Sequence, residues 1–88
     1  MSMQYYLHKD KIAVKLTGDN PADFLNDLLT AQIAELPAGI ARAACLLSPQ
    51  GRILFDMLVV HNDGAVYLVT EKAQADALIT RLNLYRLR

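Results

Sequence analysis

The sequence predicts an α+β sandwich of order β-α-β-β-β-α, with two helices packed on one face of a largely antiparallel sheet. Three observations carry that prediction. Residues 11–17 alternate apolar and polar with a period of two. Three apolar runs follow one another with turn residues between them. Two segments repeat apolar residues at helical spacing, one before those runs and one after them.

In the first strand Ile12, Val14 and Leu16 share one face, with Lys11, Lys15 and Thr17 on the other. Gly18-Asp19-Asn20-Pro21 stops it. Asn20 suits a helix N-cap, Pro21 falls where a missing N–H costs nothing, and Asp23 lies in a first turn favourable to negative charge. The first helix is expected to bury Phe24, Leu25, Leu28 and Leu29 and to turn Asn26 and Asp27 to water. Pro37 and Gly39 close the stretch that follows.

The second strand is residues 41–47. Ser48-Pro49-Gln50-Gly51 turns it back, because proline fixes the φ that the second position of a type I turn requires. The third strand, residues 52–60, ends at Asn62-Asp63-Gly64, a tight-turn signal. Residues 65–69 form the fourth. The last helix carries Ala75, Leu78, Ile79, Leu82 and Tyr85 on one stripe, with Thr70 as its expected cap. The third strand is apolar on both faces, and two helices can cover only one of them. Further chain, a ligand or a second copy is expected on the other. The ending at Tyr85-Arg86-Leu87-Arg88 has no cap, so residues 1–88 read as one domain and as the N-terminal part of a longer protein.

Composition excludes several functions. Nine Lys plus Arg balance nine Asp plus Glu, against the basic face a nucleic-acid module needs. One cysteine excludes a disulfide framework or a multi-cysteine metal site built by this chain. His8 and His61 lack partners at ligand spacing, so no metal is expected. No run approaches the roughly 20 apolar residues of a membrane helix, and the start lacks the shape of a secretory signal. A reducing interior fits: cytoplasm, or the mitochondrial matrix in a eukaryote.

Asp56 breaks its surroundings. It stands mid-strand among Leu54, Phe55, Met57 and Leu58, where strands disfavour aspartate. A carboxylate in such a run either does chemistry or sits on an exposed sheet face held by donors. Arg52, at the hairpin tip, is either an anion contact or a solvated turn residue. Cys45 reads as a small core residue.

The stretch Leu46-Leu47-Ser48-Pro49-Gln50-Gly51-Arg52-Ile53-Leu54-Phe55-Asp56 resembles the N-terminal domain of the YgfZ/GcvT folate-binding superfamily. The flanks agree. Val14-x-Leu16-Thr17-Gly18-Asp19, Phe24-Leu25 and Leu28-x-Thr30 look like its opening strand and first helix, and Leu36-x-x-Gly39 leads into the second strand. The superfamily includes the glycine cleavage aminomethyltransferase (T-protein) and the YgfZ-type proteins that support iron–sulfur cluster assembly or repair, with a link to tRNA modification. The resemblance implies tetrahydrofolate or a folate derivative as ligand, and iron–sulfur client proteins as partners. It also implies Asp56 as the catalytic carboxylate, with Leu25, Leu28 and Arg52 beside it in one wall of the folate site. A homodimer through the open sheet face is a further expectation.

Three departures point to the YgfZ branch. Phe55 replaces the first of the family's paired aspartates, Arg52 replaces a turn glycine, and Ala43 stands for a folate-contacting tyrosine. The ending Leu82-x-x-Tyr85-Arg86-Leu87-Arg88 is typical of that branch, whose Lys-Gly-Cys-Tyr-x-Gly-Gln-Glu signature is absent here. Cys45 does not match the signature cysteine. The alternatives are an aminomethyltransferase proper and a stand-alone α+β interaction module.

Overall fold

A computed structural model describes residues 2–8, 10–31, 33, 35–62 and 64–86. Asp63 of the expected turn and Leu87 and Arg88 of the ending lie outside the described residues. The elements are β1 (Ser2–His8), β2 (Lys11–Thr17), α1 (Pro21–Asn26), β3 (Ala41–Leu47), β4 (Ile53–Asn62), β5 (Ala65–Glu71) and α2 (Lys72–Arg86). The α+β class stands, with one more strand than the sequence reading gave. The five strands lie in the order β1-β2-β5-β4-β3, and every pairing is antiparallel.

The extra strand is β1, paired with β2 from Ser2↔Thr17 to His8↔Lys11. Only two residues of sequence, 9 and 10, separate the two strands, and the pair carries no glycine to signal a hairpin.

The alternation in β2 is realised as expected, with Val14 and Leu16 fully buried. They join Val66 and Leu68 of β5, Met57 and Val59 of β4, and Ala44 and Leu46 of β3 in one core. Leu25 and Leu29 close that core from the α1 side, and Leu78, Ile79 and Leu82 from α2. The α2 stripe is the one expected from sequence, with Tyr85 packed against the core.

Three local expectations are corrected. Asn20 precedes α1 but does not cap it through its side chain. It takes the left-handed conformation (φ 50°, ψ 53°), which asparagine tolerates, and its carbonyl accepts from Phe24 N at 3.2 Å. Asn26 is half-buried rather than solvated, because its Oδ1 accepts from the backbone N–H of Ile33. Thr70 belongs to β5, and its hydroxyl donates to the carbonyl of Asp56 at 3.0 Å instead of capping α2.

The β3–β4 hairpin follows its sequence signal closely. Gly51 N–H donates to the Ser48 carbonyl at 2.9 Å, and Ser48 N–H donates to the Arg52 carbonyl at 2.8 Å. Ser48 Oγ accepts from Arg52 N–H at 3.1 Å, and Gly51 holds φ 87°. The register slips at Leu46/Leu47, so that Leu47 faces Ile53 while Leu46 faces Phe55. No atom lies within 4 Å of where a Gly51 Cβ would stand, so Gly51→Ala carries backbone strain and no clash. It should cost about 1–2 kcal/mol, read as a lower urea midpoint with unchanged slope.

Candidate functional site

Antiparallel register sorts the strand residues into transverse rows. On the face away from the helices, Ala13, Val69, Leu58 and Ala43 form one row across β2, β5, β4 and β3. Lys15, Tyr67, Val60 and Ala41 form the next, where the Lys15 ammonium lies 5.8 Å from the centre of the Tyr67 ring. This face is open. Leu58 is 47% exposed, although it sits in the middle of the longest strand. The sequence suggested that helices would leave one side of β4 without a cover, and Leu58 lies on that side.

At one end of this apolar surface stands a polar row. Lys11 pairs with Glu71 across β2 and β5, their side chains ion-paired, and Asp56 pairs with Cys45 across β4 and β3. Between the two halves the β4–β5 ladder has stopped, its last pair being Leu58↔Val69. The strands splay past that point and leave the Asp56 carbonyl without a ladder partner. Side chains take over. Thr70 Oγ1 donates to it at 3.0 Å, and Gln74 Nε2 donates to it at 3.1 Å. The Gln74 amide also reaches the Asp56 carboxylate, at 3.3 Å from Oδ1, and bonds to Thr70 Oγ1. The result is a cleft of about 370 Å³ lined by Asp56, Leu58, Cys45, Thr70, Glu71 and Gln74 among others.

Asp56 is therefore exposed at the lip of an apolar surface, not buried in a two-sided strand. The period of the strand explains this. Met57 and Val59 take the core side, so Asp56 and Leu58 take the other. Cys45 obeys the same parity. Ala44 and Leu46 occupy the core, and Cys45 lies half-buried on the open face rather than inside. The outer edge of β3 is pinned there by Thr30, whose N–H donates to the Cys45 carbonyl at 3.0 Å and whose Oγ1 accepts from Cys45 N–H at 2.9 Å.

The other residues implied by resemblance do not converge on Asp56. Arg52 is exposed at the hairpin tip. Leu25 has no exposed surface, and Leu28 is half-buried against the core, so both belong to the helix side of the sheet. A ligand contact through Leu25 would require the core to open. Phe55 packs against the core as well, so the side chain at the position of the family's first aspartate is turned inward. Sequence reading missed Gln74 and Thr70. No local signal pairs them with Asp56, because their meeting depends on where the β4–β5 ladder ends.

Chemically, the arrangement offers a carboxylate beside a flat apolar floor of Leu58, Val69 and small alanines. It suits a planar ring that stacks on the floor and presents an electron-poor or protonated nitrogen to Asp56. Among the described residues no group of three His, Cys, Asp or Glu is placed to hold a metal ion, and no helix is long and apolar enough to cross a membrane.

No protein-family model matches the chain, and no solved structure matches it. A stretch of 56 residues is 34% identical to an aminomethyltransferase of Phocaeicola vulgatus. That stretch is 64% of this chain and 16% of the relative, so the chain spans only a small part of the protein it matches. The similarity agrees with the broader resemblance read from the residues, to the superfamily that contains the aminomethyltransferases.

Proposed function

We propose that this chain supplies one wall of a tetrahydrofolate site in a YgfZ-like protein that supports iron–sulfur cluster assembly or repair. The observation that carries the reading is Asp56, a carboxylate exposed at the rim of an apolar sheet face that is left uncovered among the described residues. In this role the carboxylate faces a folate nitrogen and stabilises positive charge on it, while Leu58 and Val69 carry the ring. The rest of the pocket comes from chain beyond these residues. Support for the YgfZ branch comes from Ala43 on the open floor, in place of the family's tyrosine, and from Phe55, which stands in place of the first aspartate of the family's pair.

The second reading is an aminomethyltransferase proper, favoured by the matched relative's own activity. Calorimetric titration of tetrahydrofolate into the protein made from its complete reading frame tests both. Saturable binding without ammonia release from an aminomethyl-lipoyl carrier is the expected result. Ammonia release would move the assignment to the aminomethyltransferase. No binding by the folded protein would leave the interaction-module reading in place of both.

A further inference from the structure

We infer that Gln74 is a positioning residue for Asp56, fixing the direction of its carboxylate at the rim of the open face. The inference deepens the proposed folate site and rests on it for its functional half.

The argument begins with where α2 starts. Lys72 N–H donates to the Asp10 carbonyl at 2.8 Å, tying the first turn of the helix to the β1–β2 connection. Ala75 and Leu78 are buried, which sets the rotation of the helix about its axis. With both constraints in place, Gln74 is delivered to the gap where β4 and β5 part. Its Nε2 lies 3.1 Å from the Asp56 carbonyl and 3.3 Å from Oδ1, so one amide group contacts the backbone and the side chain of the same residue.

The orientation of that amide follows from chemistry. A carbonyl and an ionised carboxylate only accept, so the NH₂ end must face them, and the reversed amide would set oxygen against oxygen. Thr70 Oγ1 donates to the same carbonyl and accepts from the amide, so the two amide hydrogens are shared among three acceptors. The groups around Asp56 on the other elements give it no such direction. Glu71 is engaged by Lys11, and Cys45 offers only a weak S–H donor. An exposed aspartate otherwise rotates among its staggered χ1 wells. Gln74 selects one of them before a ligand arrives, which lowers the ordering cost of binding.

Gln74→Met tests this, since methionine keeps the length and helix propensity of glutamine and removes the donor. Three-bond couplings to the Asp56 carboxyl carbon, measured on the 88-residue chain, should report one dominant χ1 rotamer. In Gln74→Met they should report averaging. Tetrahydrofolate affinity of the complete protein should fall roughly three- to tenfold in Gln74→Met, the scale of one ordinary hydrogen bond. In an Asp56→Ala background the same change should move affinity by less than about twofold, because the residue it acts through is gone. Unchanged couplings in Gln74→Met overturn the inference, as does an equal loss of affinity in both backgrounds. If the unaltered protein binds no tetrahydrofolate, the proposed function fails, and the couplings alone still decide whether Gln74 positions Asp56.

Discussion

Asp56→Asn should lower tetrahydrofolate affinity by about ten- to a hundredfold, the equivalent of losing a charge-assisted hydrogen bond of roughly 1.5–3 kcal/mol. Thermal stability should hardly move. Asp56 is exposed, its carbonyl carries the bonds from Thr70 and Gln74, and asparagine keeps both that carbonyl and an Oδ1 for the Gln74 amide. Surface substitutions of this kind usually stay within about 0.5 kcal/mol of the parent. The substitution therefore removes a charge and almost nothing else. Calorimetry and a thermal melt on the same samples separate the two effects. Lost affinity at constant melting temperature assigns the carboxylate to the ligand. An unaltered affinity would return Asp56 to the exposed sheet aspartate that its strand position alone allows.

What the sequence made legible was local. The alternation of Ile12, Val14 and Leu16 and the α2 stripe from Ala75 to Leu82 need only the geometry of one element, and both came out as read. The Ser48-Pro49-Gln50-Gly51 turn needs four residues and likewise matched. The misreadings that bear on the site involve partners distant in sequence. β1 depends on pairing with β2 through an unmarked turn. Thr70 looked like a helix cap because its long-range acceptor, the Asp56 carbonyl, is created only when two strands splay.

The site was legible to the same degree. Asp56 stood out because its residue type conflicts with the apolar run around it, a conflict visible in one dimension. Its exposure was not visible, since Leu54, Leu58 and Val60 make the strand look covered on both sides. Which side is covered depends on where two helices dock. Leu25 was joined to the site by resemblance alone, and the helix that carries it turns it into the core. Gln74 was beyond reach. Nothing in the four residues before it distinguishes a glutamine that meets Asp56 from one that faces water.

The largest stability effect is expected at Leu68. This residue is fully buried in β5, the central strand, with Val14 of β2 and Val59 of β4 as its register partners, both also fully buried. Both helices pack on β5, so Leu68 lies where every layer of the core meets. Leu68→Ala should cost about 2–5 kcal/mol in lost burial and residual cavity. A domain of this size has only about 5–15 kcal/mol in total, so urea unfolding followed by circular dichroism should show the midpoint reduced by roughly a third. Leu58→Ala, in the neighbouring strand, provides the contrast. Its side chain points to the open face and is 47% exposed, so truncation should cost under about 1 kcal/mol in the isolated chain. The two residues are chemically identical and one strand apart, and the difference in cost is then a direct measure of which face of the sheet is covered. Should Leu58→Ala prove as damaging as Leu68→Ala, and its effect grow with protein concentration, the open face is buried against a second copy in solution. Asp56 would then line an interface between copies rather than wait for a folate. A small, concentration-independent cost leaves the face open, as the folate reading requires.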